Sequence, residues 1–151
     1  MVATKEKSLI FIALTLLFFN SCSIESREIN YGHDGCAYCQ MIIVDNRYGA
    51  QIVTDKGKIY TFDSIECMFD FSKENNTQTA IQLATSYNEP GILVQADSCI
   101  FVHSKQLPSP MGAYLTAFHQ EDAKKIKEDF KQYLNWGELT QQYQNIRNNN
   151  F

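Results

Sequence analysis

The sequence predicts an α+β fold made of two small hairpin-plus-helix units behind an N-terminal signal and a tether. Two strand-like segments flank Asp55-Lys56-Gly57, a hairpin signal in which the glycine is free to adopt positive φ. A helix begins soon afterwards, at Asp63, and the order of strands and then a helix occurs again between residues 90 and 140. Locally paired strands followed by helices are typical of α+β proteins.

The N-terminus has the pattern of a bacterial lipoprotein signal. Two lysines precede an apolar run, Leu9 to Phe19, that is shorter than the roughly 20 apolar residues that a bilayer span requires. A small residue and then Cys22 follow, and this ending resembles the cleavage site at which a cysteine is acylated and becomes the mature N-terminus. We therefore expect residues 1–21 to be removed and a cell-envelope lipoprotein, anchored in the membrane by Cys22, to face the periplasm. The alternative is an ordinary secretory signal with an incidental cysteine.

The first unit is expected at about residues 36–80, after a polar, turn-rich tether at residues 22–35. Its strands are predicted at residues 40–44, 49–54 and 58–62. Asp63 is then expected to cap a helix, with Glu66 three residues later as the second half of a capping box. The polar segment 75–79 should be a loop.

The second unit is expected at about residues 90–140, so that the two units form one domain over residues 36–140. Its strands are predicted at residues 92–95, 99–103 and 114–118, with a loop set by prolines at 105–110. Apolar side chains at helical spacing predict a helix from Glu121 to Leu134, which Gly137 is expected to end. Residues 141–151, rich in glutamine and asparagine, should form a frayed polar tail.

Composition narrows the class of protein. The net charge of −4 is spread along the 151 residues without a basic cluster, so nucleic acid is not expected as a partner. No nucleophile–base pair or carboxylate pair stands out, which argues against an enzyme. In an oxidising compartment thiols form disulfides or bind metals. The four cysteines after Cys22 are therefore the residues from which a site would be built.

The segment Cys36-Ala37-Tyr38-Cys39-Gln40-Met41 carries two thiols and a thioether within six residues. These soft sulfur donors together favour Cu(I) over harder cations. A thioether offers its lone pair at any pH, whereas a thiol must first lose its proton. The motif therefore predicts a copper site.

Other uses of a Cys-x-x-Cys pair remain open, with one exception. Covalent haem attachment is excluded because Gln40, and not histidine, follows Cys39. The cysteines of a redox pair normally lie at the N-terminus of a helix, whereas the residues after Cys39 have the pattern of a strand. Structural zinc would need a further ligand such as His33, since Cys67 and Cys99 stand alone in the sequence. A simple disulfide that closes the loop is the remaining alternative.

A further sulfur donor lies in Pro110-Met111-Gly112. Pro108 and Pro110 fix φ and stiffen this loop, while Gly112 frees the backbone directly after the methionine. The loop is expected at the surface, where Met111 either covers apolar surface or binds a metal.

Three features together resemble the NosL family of copper-binding lipoproteins. They are residues 32–41 with the Cys-x-x-Cys-x-Met motif, the Phe62-Asp63 strand-to-helix joint, and Pro110-Met111-Gly112 with the aromatic residue after it. The features occur in the family's order along nearly the whole mature chain. One position departs from the family pattern, because Gln40 stands where glycine is often found.

The resemblance implies two ββαβ-type units and a chaperone that carries Cu(I) to a cuproenzyme, nitrous oxide reductase. It implies Cys36, Cys39, Met41 and Met111 as the copper ligands. His33 is a possible additional ligand, since it lies three residues before the motif. The alternative function is a thiol-disulfide oxidoreductase that uses the two cysteines, a reaction that needs neither methionine.

The lipid anchor gives a first testable prediction. Replacement of Cys22 (Cys22→Ala) should leave an unprocessed or soluble protein that no longer incorporates labelled fatty acid, because the acylated thiol is gone. Metabolic labelling and membrane fractionation measure this, with Ser23→Ala as the control. Unchanged labelling of the Cys22→Ala protein would mean that the cysteine is incidental.

Overall fold

The computed structural model of the protein describes residues 24–149, so the predicted signal and Cys22 lie outside the described residues. No helix within this range is long and apolar enough to cross a membrane. The strands are β1 (Ala50–Thr54), β2 (Ile59–Phe62), β3 (Thr79–Thr85), β4 (Leu93–Gln95), β5 (Cys99–His103), β6 (Leu115–His119) and β7 (Tyr133–Asn135). The helices are α1 (Ile65–Asn75), α2 (Ala123–Asp129) and α3 (Trp136–Asn148).

The strands form two antiparallel sheets. The larger sheet has the order β2-β1-β3-β4 and the smaller has the order β6-β5-β7. In the β1–β2 hairpin Ala50 pairs with Phe62, on either side of the predicted turn. Each unit runs β-β-α-β, as β1-β2-α1-β3 and as β5-β6-α2-β7. The predicted α+β class and its two ββαβ units are therefore confirmed.

One apolar cluster joins both sheets to α1 and α3. Its fully buried members come from all of these elements, including Ile52, Phe62, Met68, Phe101, Leu115, Leu139 and Tyr143. Cys36, Cys67 and Cys99 belong to the same cluster. The thiols are therefore part of the main core rather than of a separate surface loop.

Two predictions for the first unit are wrong in detail, and one strand was not predicted. Residues 40–44 form no strand, and only a single bridge joins Gly35 to Ile42. Ser64, and not Asp63, caps α1, because the Ser64 side chain accepts a hydrogen bond from the backbone N–H of Cys67 at 3.4 Å. The strand β3 was not predicted. Its sequence mixes polar and apolar residues, yet it pairs with both β1 and β4.

The second unit departs further from the prediction. Segments 92–95 and 99–103 are no hairpin, because β4 pairs with β3 while β5 pairs with β6 and β7. Instead of the predicted helix at 121–134, the structure has the shorter helix α2. Leu134 lies in the strand β7 and not in a helix. Gly137 lies in the first turn of α3 and ends no helix. Asn135 and Glu138 form a capping box there, a signal that was present in the sequence.

Residues 141–148 belong to α3, so the prediction of a frayed tail is wrong for these residues. Leu139 and Tyr143 are buried on one face of this helix, and the Tyr143 ring stacks on Phe69 of α1 with centroids 4.4 Å apart. Packing of this single apolar face stabilises a helix that is otherwise rich in glutamine and asparagine.

The prediction that residues 22–35 form a tether is also wrong for the described part of that range. The buried side-chain amide of Gln51 exchanges two hydrogen bonds with the backbone of Arg27, of 3.2 Å to its N–H and 2.9 Å to its carbonyl oxygen. Ile29 is buried, and a Cβ on Gly49 would lie only 2.9 Å from its Cδ1. The chain is therefore part of the folded domain from Arg27 onwards.

Candidate metal centre

Three cysteines from two parts of the chain meet at one place. The Sγ atoms of Cys36, Cys39 and Cys67 all lie within 4.8 Å of one another. Cys36 and Cys67 are buried, Cys39 is partly exposed, and all three are free thiols. When a metal ion lies in the plane of three sulfur ligands at about 2.3 Å from each, the sulfur atoms are about 4 Å apart. The three thiols are therefore close enough to bind one ion together.

A closed turn presents the first two thiols. The Cys36 N–H donates to the Met41 carbonyl oxygen at 2.8 Å, and the Gln40 N–H donates to the Cys36 carbonyl oxygen at 3.0 Å. Gln40 has a φ of 64°, in the left-handed region that favours glycine. Its side-chain amide donates to the Ala37 carbonyl oxygen at 3.0 Å. The turn therefore needs positive φ at the position where NosL-like sequences often have glycine.

Two hydrogen bonds join this turn to the end of β2. The Ala37 N–H donates to the Thr61 carbonyl oxygen at 2.8 Å, and the Thr61 hydroxyl donates to the Gly35 carbonyl oxygen at 3.2 Å. The chain leaves β2 one residue later and enters α1, whose first turn contains Cys67. The joint therefore brings a helical cysteine to the Cys-x-x-Cys turn.

The three thiols differ in their proton affinity. The pKa of Cys36 is lowered to about 5, chiefly by a hydrogen bond from the Cys67 thiol. Three backbone N–H groups act in the same direction, those of Tyr38, Cys39 and Asp63, whereas burial opposes them. Cys36 is therefore a thiolate at neutral pH.

The remaining groups of the cluster hold their protons more tightly. The pKa of Cys67 is raised because its thiol donates to Cys36 and because it is buried. Burial is the main cause that raises the pKa of Cys39. Burial also raises the pKa of the Asp63 carboxyl group to about 6, and the nearby Cys36 thiolate adds to this effect. A metal ion bound by all three sulfurs would displace protons from Cys39 and Cys67.

Glu66, next to Cys67, connects the cluster to the loop that contains Met111. Its fully buried carboxyl group accepts hydrogen bonds through Oε1 from the Ser109 hydroxyl and, at 3.4 Å, from the Leu115 N–H. Its Oε2 has no partner among residues 24–149, and burial raises the pKa of this carboxyl group. Ser109 precedes Met111 by two residues, so the first turn of α1 is tied directly to the methionine loop.

Helix α3 holds the same loop from the other side. Arg147 donates through Nη1 to the Met111 carbonyl oxygen at 3.4 Å, while its Nε lies 3.3 Å from Oδ2 of Asp70 on α1. The Tyr143 hydroxyl lies 2.9 Å from Oδ1 of Asp70 and 3.0 Å from the Glu66 carbonyl oxygen. The methionine loop, α1 and α3 therefore form one connected support around the thiols.

The predicted ligands occupy different surroundings. Cys36 and Cys39 lie in the sulfur cluster. The Met41 side chain is 50% exposed, and Met111 is partly buried against the core that contains Cys36. His33 is exposed in the turn before the motif. That Cys36, Cys39, Met41, Met111 and His33 bind metal stays a prediction.

Cys67 is the member of the cluster that sequence reasoning missed. Its signal was its position in the first turn of a helix that begins directly after a strand, close to the Phe62-Asp63 joint. Cys99, the other lone cysteine, does not join the cluster. Its thiol donates to the Gln95 carbonyl oxygen at 3.4 Å, and burial raises its pKa to about 12.

Comparisons with known proteins identify the family and the fold. The model of the NosL family matches residues 29–144. The crystal structure of the copper chaperone NosL from Shewanella denitrificans aligns with a TM-score of 0.62 and 19% identity, over 79% of this chain and 98% of that chain. At this identity the structural similarity concerns the fold. No curated protein sequence matches the chain.

The lowered pKa of Cys36 gives a second testable prediction. In the reduced, metal-free protein, thiolate absorbance at 240 nm should include one thiolate at neutral pH that is lost as the pH falls through about 5. Cys36→Ser should abolish this step. Cys67→Ala should move it to higher pH, because the hydrogen bond that favours the thiolate is gone. Cys99→Ser is the matched control, and a step that survives Cys36→Ser would contradict the assignment.

Proposed function

The chain belongs to the NosL family, and we propose that it binds one Cu(I) ion through Cys36, Cys39 and Cys67 and delivers it to a copper enzyme of the cell envelope, nitrous oxide reductase. The observation that carries this proposal is the approach of three sulfur atoms to within 4.8 Å. Copper is the cargo of the protein in this proposal, and no reaction is assigned to the chain itself.

The chemistry of the cluster favours Cu(I). Three sulfur ligands are soft, and a monovalent ion of low coordination number needs no fourth protein ligand. Zinc in structural sites usually takes four ligands, and the only cluster of at least three Cys, His, Asp or Glu ligand atoms within residues 24–149 is the one formed by these cysteines. The Cys36 thiolate provides one ligand that needs no proton removal at neutral pH.

The differences in exposure support a carrier rather than a storage site. Cys39 is the partly exposed member of the cluster, and the half-exposed Met41 follows two residues later. An acceptor's ligand would reach the ion from this side while Cys36 and Cys67 still hold it. Met41 and Met111 are proposed as weak neutral donors that assist this exchange and leave readily.

One observation favours the alternative, a thiol-disulfide oxidoreductase. A thiol with a pKa of about 5 is a thiolate under working conditions, as the attacking cysteine of a redox pair must be. However, Cys36 is only 1% exposed, so a protein disulfide has little access to its sulfur. The third thiol and the two methionines also have no role in that reaction.

We further propose that the protein works as a membrane-anchored lipoprotein facing the periplasm. The support for this is the signal pattern that ends at Cys22. Cu(I) would then be carried at the surface of the membrane that holds the lipid.

The copper site gives a third testable prediction. Under anaerobic conditions the reduced chain from residue 23 should bind Cu(I) far more tightly than Zn(II), measured by competition with a chelator of known affinity. Cys36→Ser, Cys39→Ser and Cys67→Ser should each weaken Cu(I) binding by more than about 100-fold, and Met111→Leu and Met41→Leu by roughly 10-fold at most. Equal competition by zinc would refute the copper assignment.

Two matched controls separate ligand loss from damage to the core. Cys99→Ser removes a buried thiol outside the cluster, and Met68→Leu changes a buried methionine of α1 to a residue of similar volume. Both variants should keep the wild-type affinity for Cu(I). If Met111→Leu does so as well, with an unchanged number of sulfur ligands in X-ray absorption, then Met111 only packs against the core.

The acceptor gives a fourth prediction. A strain without this protein should still synthesise nitrous oxide reductase, but the enzyme should be poor in copper, and added copper should ease the defect. Complementation with Cys67→Ser should fail, whereas Cys99→Ser should restore the metal content. A fully metallated reductase in the deletion strain would point to another acceptor.

A further inference from the structure

The proposed lipid anchor at Cys22 would lie close to the folded domain, because most of the predicted tether, residues 22–35, belongs to that domain. Arg27 is fixed by its two hydrogen bonds to the Gln51 side chain, and Ile29 fills a space beside Gly49. Tyr31 contacts Thr85 of β3 through its hydroxyl at 3.2 Å. The hydrogen-bonded part of the domain therefore begins at Arg27, five residues after Cys22 in the sequence.

The number of residues between Cys22 and Arg27 limits the distance of the domain from the bilayer. Five residues from Cys22 to Arg27 span at most about 17 Å, whereas a tether to residue 35 would have spanned roughly 45 Å. A folded domain of this size is about 35 Å across. If Cys22 carries acyl chains in the bilayer, as proposed above, the domain lies against the lipid surface on the side where Arg27 is fixed.

The surface near that point carries unpartnered apolar side chains. A groove beside the first described residues is lined by Ser26, Arg27, Glu28, Gly91, Ile92 and Leu93. Ile24 and Ile92 are large apolar residues with 42% and 55% of their surface exposed. Val44, 70% exposed, precedes by two residues Asn46, whose carbonyl oxygen accepts a hydrogen bond from the Gly91 N–H at 2.7 Å. Three exposed aliphatic side chains therefore lie on neighbouring segments at the anchored side.

We propose that this side, marked by Ile24, Val44 and Ile92, rests on a zwitterionic phospholipid surface and inserts its aliphatic side chains among the headgroups. The charges favour zwitterionic over anionic lipid, because Glu25, Glu28 and Glu89 are exposed close to it, while Arg27 is already paired with Asp34 at 2.6 Å. The thiol cluster is then held at a fixed height above the bilayer, because Cys36 and Cys67 belong to the same apolar core as Ile29. The inference rests on the proposed lipid anchor, and is independent of which metal the thiols bind.

The experiment uses the full, processed and lipidated chain in liposomes of zwitterionic lipid with brominated acyl chains. The one native tryptophan, Trp136, is replaced by phenylalanine, and a reporter is introduced as Ile92→Trp or, as the matched control, as Lys56→Trp at the tip of the β1–β2 hairpin. The reporter at position 92 should lose about half of its fluorescence or more, because interfacial side chains sit about 5–10 Å into the boundary of headgroups and acyl chains. The reporter at position 56 should keep its fluorescence.

A linker variant tests the role of the short anchor. Insertion of about 12 glycine and serine residues before Ile24 adds about 20 Å of average reach, and the quenching at position 92 should fall to the level at position 56. Equal quenching of both reporters with the native anchor, or quenching that survives the insertion, would overturn the proposal. Fatty-acid labelling of the same samples reports the anchor separately, and its absence would overturn the anchor and this inference together. Copper retention reports the proposed function independently.

Discussion

The structure depends on the hydrogen-bonded joint between the Cys-x-x-Cys turn and the end of β2. Two bonds, from Ala37 to Thr61 and from Thr61 to Gly35, fix the turn at the point where the strand passes into α1. Because α1 starts within the next residues, its first turn and therefore Cys67 have a defined position relative to Cys36. Three sulfurs then meet without a disulfide or a continuous motif. A loop held less firmly would present two thiols and leave the third one buried and unused.

The joint also concentrates groups that are negative or become negative. A thiolate at Cys36, a buried carboxyl group at Asp63 and a fully buried one at Glu66 lie within one turn and the start of one helix. Burial raises the pKa of both carboxyl groups, that of Asp63 to about 6, and so opposes further negative charge beside the Cys36 thiolate. A bound monovalent cation would offset the charge of the Cys36 thiolate, and each further thiol that it deprotonates would add one negative charge. The Cys36 thiolate and the proposed monovalent cargo thus have opposite charges.

Sequence reasoning succeeded where the signal was local. The Asp55-Lys56-Gly57 turn and the start of α1 to within two residues could be inferred from spacing and turn chemistry, whereas the ββαβ order of the units was implied by the family resemblance. It failed where tertiary contacts decide. The segment after Arg27 looked like a tether because its contacts with Gln51 and Gly49 are distant in sequence, and α3 looked like a tail because only one narrow face is apolar. Cys67 was missed for the same reason, since its partners come from another element.

The left-handed backbone at Gln40 has a consequence for how freely this turn can change. An L-residue in this region costs roughly 1–2 kcal/mol relative to glycine, and the hydrogen bond from its side chain to Ala37 offsets part of that cost. Asparagine, aspartate and glycine fit the same backbone, whereas valine, isoleucine and threonine would not. In evolutionary terms the spacing of Cys36, Cys39 and Met41 is constrained, while the residue at position 40 can change among the few residue types that accept left-handed backbone. A search pattern that demands glycine at this position would overlook chains that keep the same turn.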